Sequence, residues 1–236
     1  GVLAKDREAA RARRVEGRAA RLRCVKRERM RMGRALLSGI LAHKKKRVNM
    51  IEERPLHVLG ISGSLRVDSY NTALLRAAAE LLPPGMTLEI TDLAGIPLFN
   101  QDEENPFPEE VARLRARIAA ADALLFATPE YNSSISGVLK NALDWASRAP
   151  DMPLAGKPAA LMGASTGVFG TARAQLHLRQ VLAHLGALVL TKPEVMVMRA
   201  ADAFDEQGRL VNEVTRGFLG QLLVELAQWT RLVSAR

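Results

Sequence analysis

The chain has 236 residues, a hydrophobic fraction of 48% and a net charge of +9, enough for one large domain or a domain with an appendage. Its single cysteine, Cys24, excludes an internal disulfide framework and any metal site built from several cysteines. The most hydrophobic early stretch, ALLSGILA at 35–42, is far shorter than the roughly 20 residues that span a bilayer, so no membrane association and a cytoplasmic location are predicted.

The basic charge lies in the first fifth of the chain. Residues 1–49 hold 17 of the 34 Lys and Arg but 4 of the 25 Asp and Glu, whereas the remainder carries a net charge of −4. We interpret residues 1–50 as a basic extension, disordered or loosely helical, that lies outside the folded unit and upstream of Met50. The alternatives are an arm that binds nucleic acid or an acidic membrane, and an organelle-targeting peptide. Residues 51–236 give no reason to expect a nucleic-acid partner.

From residue 55 onward, short apolar runs alternate with helical patterns. In chain order the prediction is strand 56–61, helix 74–82, strand 86–91, helix 111–118, strand 122–128, helix 135–146, strand 157–165, helix 171–185, strand 192–198 and helix 211–233. The run DALLFAT at 122–128 has no polar alternation, which is typical of a strand buried on both faces. Five strands alternating with five helices predict an α/β fold, a doubly wound five-stranded parallel sheet with helices on both faces.

Three predicted loops follow strand ends and share a polar, glycine-containing composition. They are SGSLRVDSYN after the first strand, PEYNSSIS after the third and ASTGVFG after the fourth. The loops at the opposite ends of the strands, PPGM, AAAD and LAGK, contain no Ser, Thr or Asn. Because ligands in such folds bind beyond the carboxyl ends of the strands, the three polar loops are predicted to form one site.

The first loop has the composition of a phosphate-binding site. Gly63 allows a close turn, Arg66 offers a fork of donors for a dianion, and the following helix presents free N–H groups. The motifs for nucleoside triphosphates and for dinucleotides are both absent, so a single terminal monophosphate fits best. A serine-rich turn that merely caps the helix is the structural alternative. The side chains that could donate are Ser62, Ser64, Ser69 and Asn71.

The second and third loops could hold a planar ring. Pro129 ends the third strand, which frees the next backbone N–H groups to face a heterocycle, and Tyr131 could pack beside it. The third loop has small residues where a ring could approach the backbone. The alternative is that both segments are ordinary turns before helices.

The segments GSLRVDSYN, PEYNSSISGVLKNALDW and GKPAALMGASTGVFG resemble the signatures of the NADPH-dependent FMN reductase family, which contains flavodoxin-like quinone, azo and chromate reductases. The resemblance spans about residues 56–198 and none of residues 1–50. Many relatives carry a Gly-Gly pair after Ser-Thr-Gly, whereas Val168 and Phe169 stand before a lone Gly170 here.

The resemblance implies bound FMN and a role for each polar loop. The FMN phosphate would be held by Ser64, Arg66, Ser69 and Asn71, with Ser62 beside them. The isoalloxazine would be lined by Pro129, Glu130, Tyr131, Asn132 and Ser133, with Ser165, Thr166 and Gly167 on its other side.

The resemblance also implies an activity and a mechanism. NADPH or NADH would give a hydride to the flavin, and a quinone, azo compound, metal oxyanion or free flavin would take the electrons in a ping-pong cycle. No side chain is nominated as catalytic, and a homodimer or homotetramer is expected. The alternative is an FMN-binding electron carrier without NAD(P)H turnover. His177 and His184 lack a carboxylate at ligand spacing, so no metal site is predicted.

Overall fold

The computed structural model describes residues 54–234, and the predictions for the basic extension and for its boundary at residue 50 lie outside these residues. The strands are β1 (Leu56–Ser62), β2 (Met86–Thr91), β3 (Ala123–Ala127), β4 (Pro158–Ala164), β5 (Leu188–Val189) and β6 (Val195–Val197). The helices are α1 (Tyr70–Glu80), α2 (Glu109–Ala120), α3 (Gly137–Ala146), α4 (Ala172–His184), α5 (Ala200–Ala203) and α6 (Glu213–Ser234). A short 3₁₀ turn covers Gln101–Glu103.

The strands form one parallel sheet in the order β2-β1-β3-β4-β5, and β6 also pairs with β4. β3 is buried along its whole length, as its unbroken apolar run predicts. The chain reverses direction across the sheet after β2, since β3 returns to the other side of β1. The predicted α/β class with a doubly wound parallel sheet is confirmed.

The predicted fifth strand, at 192–198, is wrong in its extent. The structure has two short strands instead, with β5 beside the start of β4 and β6 beside its end. Pro193 lies between them and has no N–H to donate, so it cannot continue a hydrogen-bonded ladder. The sheet position therefore exists, but it is filled by two pieces of chain.

Helices cover both faces of the sheet, as predicted, and each face has its own core. On one face the buried residues of β1, β3 and β4 pack against α1 and α6. On the other face the alternate residues of the same strands pack against α2, α3 and α4. This alternation of side chains along each strand gives two apolar layers that hold the sheet in place. Within residues 54–234, no helix combines the length and the apolar character needed to cross a membrane.

Candidate active site

A cavity of about 100 Å³ opens at the carboxyl edge of the sheet, where the loops after β1, β3 and β4 meet. This edge includes the point between β1 and β3 where the strand order reverses, the usual ligand position in such sheets. The cavity is smaller than the roughly 300–1,000 Å³ typical of sites that enclose a whole ligand, so it suits one end of an elongated molecule. Nine of the thirteen predicted site residues line it: Ser64, Arg66, Ser69, Asn71, Pro129, Glu130, Tyr131, Ser165 and Thr166.

One wall of the cavity is rich in hydrogen-bond donors. Ser69 caps α1, since its hydroxyl accepts from the N–H groups of Asn71 (3.2 Å) and Thr72 (3.4 Å), and its own proton stays available for a ligand. Ser64 is buried, and its Oγ accepts from the Arg66 N–H at 3.3 Å. The Arg66 side chain is exposed, and it forms no ion pair with any carboxylate of residues 54–234. This wall is therefore suited to an anion.

Ser62 and Asn71 are turned to other partners. The fully buried Ser62 hydroxyl lies 2.8 Å from Thr72 Oγ1 and outside the cavity lining. Asn71 lines the cavity, but its amide oxygen accepts from the Ala164 N–H at 2.9 Å and its amide nitrogen donates to the Ala164 carbonyl at 3.0 Å. Asn71 thus ties the start of α1 to the end of β4, two segments of the cavity wall.

We expect the Asn71→Ala variant to be less stable than the wild type even without a ligand. The substitution leaves the buried backbone N–H and C=O of Ala164 without their partners, at about 1–3 kcal/mol for each group, and so lowers the free energy of unfolding by about 2–4 kcal/mol. Urea denaturation of flavin-free protein measures this loss.

Asn141 provides a matched control for that variant. Its half-buried side chain makes the same pair of bonds, accepting from the Phe99 N–H at 2.7 Å and donating to the Pro97 carbonyl at 2.8 Å, and it does not line the cavity. Asn141→Ala should lose less stability than Asn71→Ala, because the Pro97 carbonyl still accepts from Trp145 Nε1 at 2.9 Å and only the Phe99 N–H loses its acceptor. An Asn71→Ala variant as stable as the wild type would show that the two bonds to Ala164 contribute nothing.

The loop after β3 forms a tight turn beside the cavity. Tyr131 and Ser134 exchange two backbone hydrogen bonds of 3.0 Å, while Asn132 (φ 50°) and Ser133 (φ 66°) between them are left-handed. This is a hairpin turn with two left-handed positions, one of which is filled by a serine at a conformational cost. The N–H groups of Asn132 and Ser133 have no backbone acceptor among residues 54–234, and neither residue lines the cavity itself.

Glu130 lines the cavity, as the predicted site requires, and its carboxylate is bonded to the start of α4. Its carboxylate accepts from the backbone N–H groups of Arg173 (3.0 Å) and Ala174 (3.1 Å) and from Arg173 Nε (2.6 Å). Burial by itself would raise the pKa of Glu130, but the hydrogen bonds from Arg173 and Ala174 and the charge of Arg173 outweigh it and lower the pKa. The carboxylate is therefore ionised at neutral pH, and its stabilising contribution is lost as the pH falls below the usual glutamate range.

The loop after β4 forms the opposite rim. Ser165 Oγ accepts from the Gly167 N–H at 3.1 Å, and Gly167 lies just outside the cavity lining. Val168 and Phe169, which precede the lone Gly170, are 58% and 55% exposed and add apolar surface to this rim. Gly170 has a φ of +52°, and a Cβ there would lie 2.9 Å from the Met196 carbonyl carbon, so glycine is required at this position.

The sequence did not reveal every residue around the cavity. Tyr70 and Ala164 also line it, and both directly follow or precede predicted site residues in the chain. An adjoining apolar cavity of about 420 Å³ shares Ser64, Arg66 and Tyr131 with the first and adds Leu65 and Val138. Single apolar residues such as Leu65 in a loop and Val138 at the start of a helix carry no motif, which is why this second cavity could not be predicted.

No cluster of residues suited to a metal ion occurs within 54–234. His177, one of the two histidines weighed for such a site, has its Nδ1 3.0 Å from Ser134 Oγ.

The donor set of the cavity fits the phosphate end of FMN. Ser64 and Ser69, Tyr70 at the start of α1 and Arg66 all line the cavity, and the single carboxylate in the lining, that of Glu130, is engaged by α4. The turn at 131–134 and the rim at 165–167 flank the opening, where a planar group has room beside exposed backbone.

Comparisons with known proteins agree with this geometry. The family model of the NADPH-dependent FMN reductases matches residues 56–202. The chain is 58% identical over 177 residues to an NAD(P)H-dependent FMN reductase of Pseudomonas aeruginosa, covering 75% of this chain and 96% of the relative. It is 43% identical to a 2-hydroxy-1,4-benzoquinone reductase of a Burkholderia species, with 75% and 97% covered. The solved structure of FerB, a flavoenzyme NAD(P)H:(acceptor) oxidoreductase of Paracoccus denitrificans, superposes with a TM-score of 0.70 at 36% identity, covering 75% of this chain and 98% of that one.

Proposed function

The chain belongs to the NADPH-dependent FMN reductase family, and we propose that it uses bound FMN to pass electrons from NAD(P)H to quinones and related small acceptors. The observation that carries this proposal is the anion-suited wall of Ser64, Arg66 and Ser69 at the reversal of strand order, in a chain that matches the family over residues 56–202. The predicted fold, cofactor and enzyme class are confirmed by the family match.

We propose that Ser64, Arg66 and Ser69 hold the FMN phosphate. Ser69 and Tyr70, at the start of α1, both line the cavity, the Tyr70 N–H has no backbone acceptor among residues 54–234, and the helix dipole adds positive potential there. Arg66 supplies the full positive charge that a phosphate dianion needs. Ser62 and Asn71, in contrast, support this wall through their bonds to Thr72 and Ala164.

The isoalloxazine is proposed to lie between the turn at 131–134 and the rim at 165–167. The N–H groups of Asn132 and Ser133 are available as donors, and donors of this kind stabilise the negative charge that a reduced ring carries at its carbonyl edge. Tyr131, which is 49% exposed, offers an aromatic face beside the ring. Pro129 and Glu130 contribute the backbone that sets the turn in place.

Bound FMN would supply the redox chemistry between NAD(P)H and a small acceptor. The protein binds and orients the ring and leaves one face open for donor and acceptor in turn, which gives a ping-pong cycle. No side chain of residues 54–234 is assigned as an acid, base or nucleophile. The carrier alternative, a flavodoxin without NAD(P)H turnover, is not favoured, because the relatives named above are reductases.

The predicted oligomer also stays a proposal, and exposed apolar surface supports it. Val168, Met198, Val214 and Phe218 are 49–69% exposed and line one groove of about 510 Å³. A patch of this kind often marks an interface, and sedimentation velocity of the purified protein measures the number of subunits. The predicted cytoplasmic location likewise stays a prediction.

Steady-state kinetics test the proposed activity. We expect the FMN-loaded protein to oxidise NADPH or NADH in the presence of benzoquinone, and flavin-depleted protein to regain this activity when FMN is added. Initial rates at several concentrations of both substrates should give parallel double-reciprocal lines. Absence of turnover in the loaded protein would favour the carrier, and intersecting lines would contradict the ping-pong cycle.

A further inference from the structure

Glu130 lies in a loop that borders the cavity, yet its carboxylate is directed to helix α4. The side chain is only 5% exposed, and it contacts Arg173 and Ala174, which are 43 and 44 residues further along the chain. Two backbone N–H groups and the guanidinium of Arg173 share its two oxygens. Buried carboxylates are uncommon unless they are paired, so this arrangement ties two segments firmly together.

This distant carboxylate accepts from two of the first N–H groups of α4, those of Arg173 and Ala174, which the N-cap side chain leaves without an acceptor. Thr171 has a left-handed backbone, with a φ of 70°, and makes no side-chain cap. Its hydroxyl instead accepts from Gln175 Nε2 at 3.1 Å. The first N–H groups of a helix need an acceptor and favour negative charge, and Glu130 provides both.

The contact between Glu130 and Arg173 extends to the loop after β4, on the opposite side of the cavity. The Arg173 guanidinium, which pairs with Glu130, also lies 4.2 Å from the centroid of the Phe169 ring. A cation over an aromatic face is attracted to it. Glu130, Arg173 and Phe169 therefore form a continuous chain of contacts from the loop after β3 to the loop after β4.

We propose that Glu130 is a positioning residue that fixes the separation of the two loops on either side of the flavin ring. This inference rests on the proposed function, because it takes those loops to be the flanks of the isoalloxazine. Glu130 contributes no group to the reaction. It acts by holding the start of α4, and with it the loop that carries the rim at 165–167, against the turn at 131–134.

Asp205 gives a matched control for substitutions of Glu130. Its carboxylate also accepts from two backbone N–H groups, those of Gln207 (3.0 Å) and Arg209 (2.8 Å), and from Arg209 Nε at 2.7 Å. It lies in the loop after α5 and does not line the cavity. Variants of Asp205 thus remove the same kinds of contact elsewhere in the fold.

The experiment compares Glu130→Ala, Glu130→Gln and Asp205→Ala by FMN titration, by thermal unfolding and by amide hydrogen exchange of the flavin-free proteins. We expect Glu130→Ala to raise the dissociation constant for FMN about tenfold, the size of effect of losing one charged helix cap. Glu130→Gln, whose amide oxygen still accepts from α4, should raise it less. Asp205→Ala should lower the melting temperature while FMN affinity stays within about twofold of the wild type.

Hydrogen exchange tests the inference even if FMN does not bind. Exchange at residues 167–174 should be faster in Glu130→Ala than in the wild type and unchanged in Asp205→Ala. The inference is overturned if this exchange is unaltered, or if Glu130→Ala lowers the melting temperature while FMN affinity stays at the wild-type value. Wild-type protein that binds no FMN would defeat the proposed function instead, and the exchange rates would still decide whether Glu130 holds the rim.

Discussion

Replacing Arg66 with alanine is expected to weaken FMN binding by about 10- to 100-fold while leaving riboflavin binding nearly unchanged. A hydrogen bond to a charged group is worth about 1.5–3 kcal/mol, and each 1.4 kcal/mol corresponds to a factor of ten. Riboflavin lacks the phosphate, so it gains nothing from the guanidinium. Quenching of flavin fluorescence on titration of the flavin-free protein gives both dissociation constants.

Arg76 serves as the matched control for this variant. It is exposed on α1, the helix that follows the loop after β1, and it does not line the cavity. Arg76→Ala should bind FMN like the wild type, which separates a local contact from a general loss of positive charge. Equal weakening of FMN and riboflavin by Arg66→Ala would show that Arg66 acts on the ring or on the fold.

Replacing Gly163 with alanine is expected to lower the free energy of unfolding by about 3 kcal/mol. A Cβ on this residue of β4 would overlap the Thr171 hydroxyl and would lie 2.5 Å from the Thr128 carbonyl oxygen. Thr128 belongs to the sheet edge and Thr171 is fully buried, so neither has room to withdraw. Overpacking of this kind typically costs about 1–3 kcal/mol of stability. Because the added Cβ would meet rigid backbone, we expect the cost for Gly163→Ala to lie at about the upper end of that range. Urea denaturation of the flavin-free protein measures the loss.

Gly217→Ala is the comparison variant, and the opposite change in stability is expected for it. It lies exposed within α6, and nothing stands within 4 Å of the Cβ that alanine would add. Gly217→Ala should raise the stability by about 0.5–1 kcal/mol, because glycine is a poor helix former. A Gly163→Ala variant with wild-type stability would contradict the close packing of β4 against Thr128 and Thr171.

The sheet could be predicted from the sequence because its signals are local. The unbroken apolar run at 122–128 is enough to indicate a strand buried on both faces, and β3 occupies 123–127. The break in the predicted fifth strand also has a local signal, because Pro193 cannot donate to a ladder. The two short strands on either side of it, β5 and β6, depend on their pairing with β4. Their lengths of two and three residues are too short for a periodic pattern.

The meeting of the three polar loops at one edge could also be predicted, whereas the partners of their side chains could not. Polar loops after parallel strands must meet at one edge, which fixes the neighbourhood of Ser64, Ser69 and Ser165. Which hydroxyl or amide faces a ligand depends on contacts between distant parts of the chain. Asn71 pairs with Ala164 across 93 residues, and Glu130 with Arg173 across 43, and no spacing in the sequence encodes either pair.

The position of the phosphate in a crystal structure of the FMN complex tests the central claim most directly. We expect phosphate oxygens within about 4 Å of the Arg66 guanidinium and within hydrogen-bonding distance of the Ser69 hydroxyl, at the start of α1. A phosphate bound away from the loop between β1 and α1 would contradict it, whatever activity the protein showed.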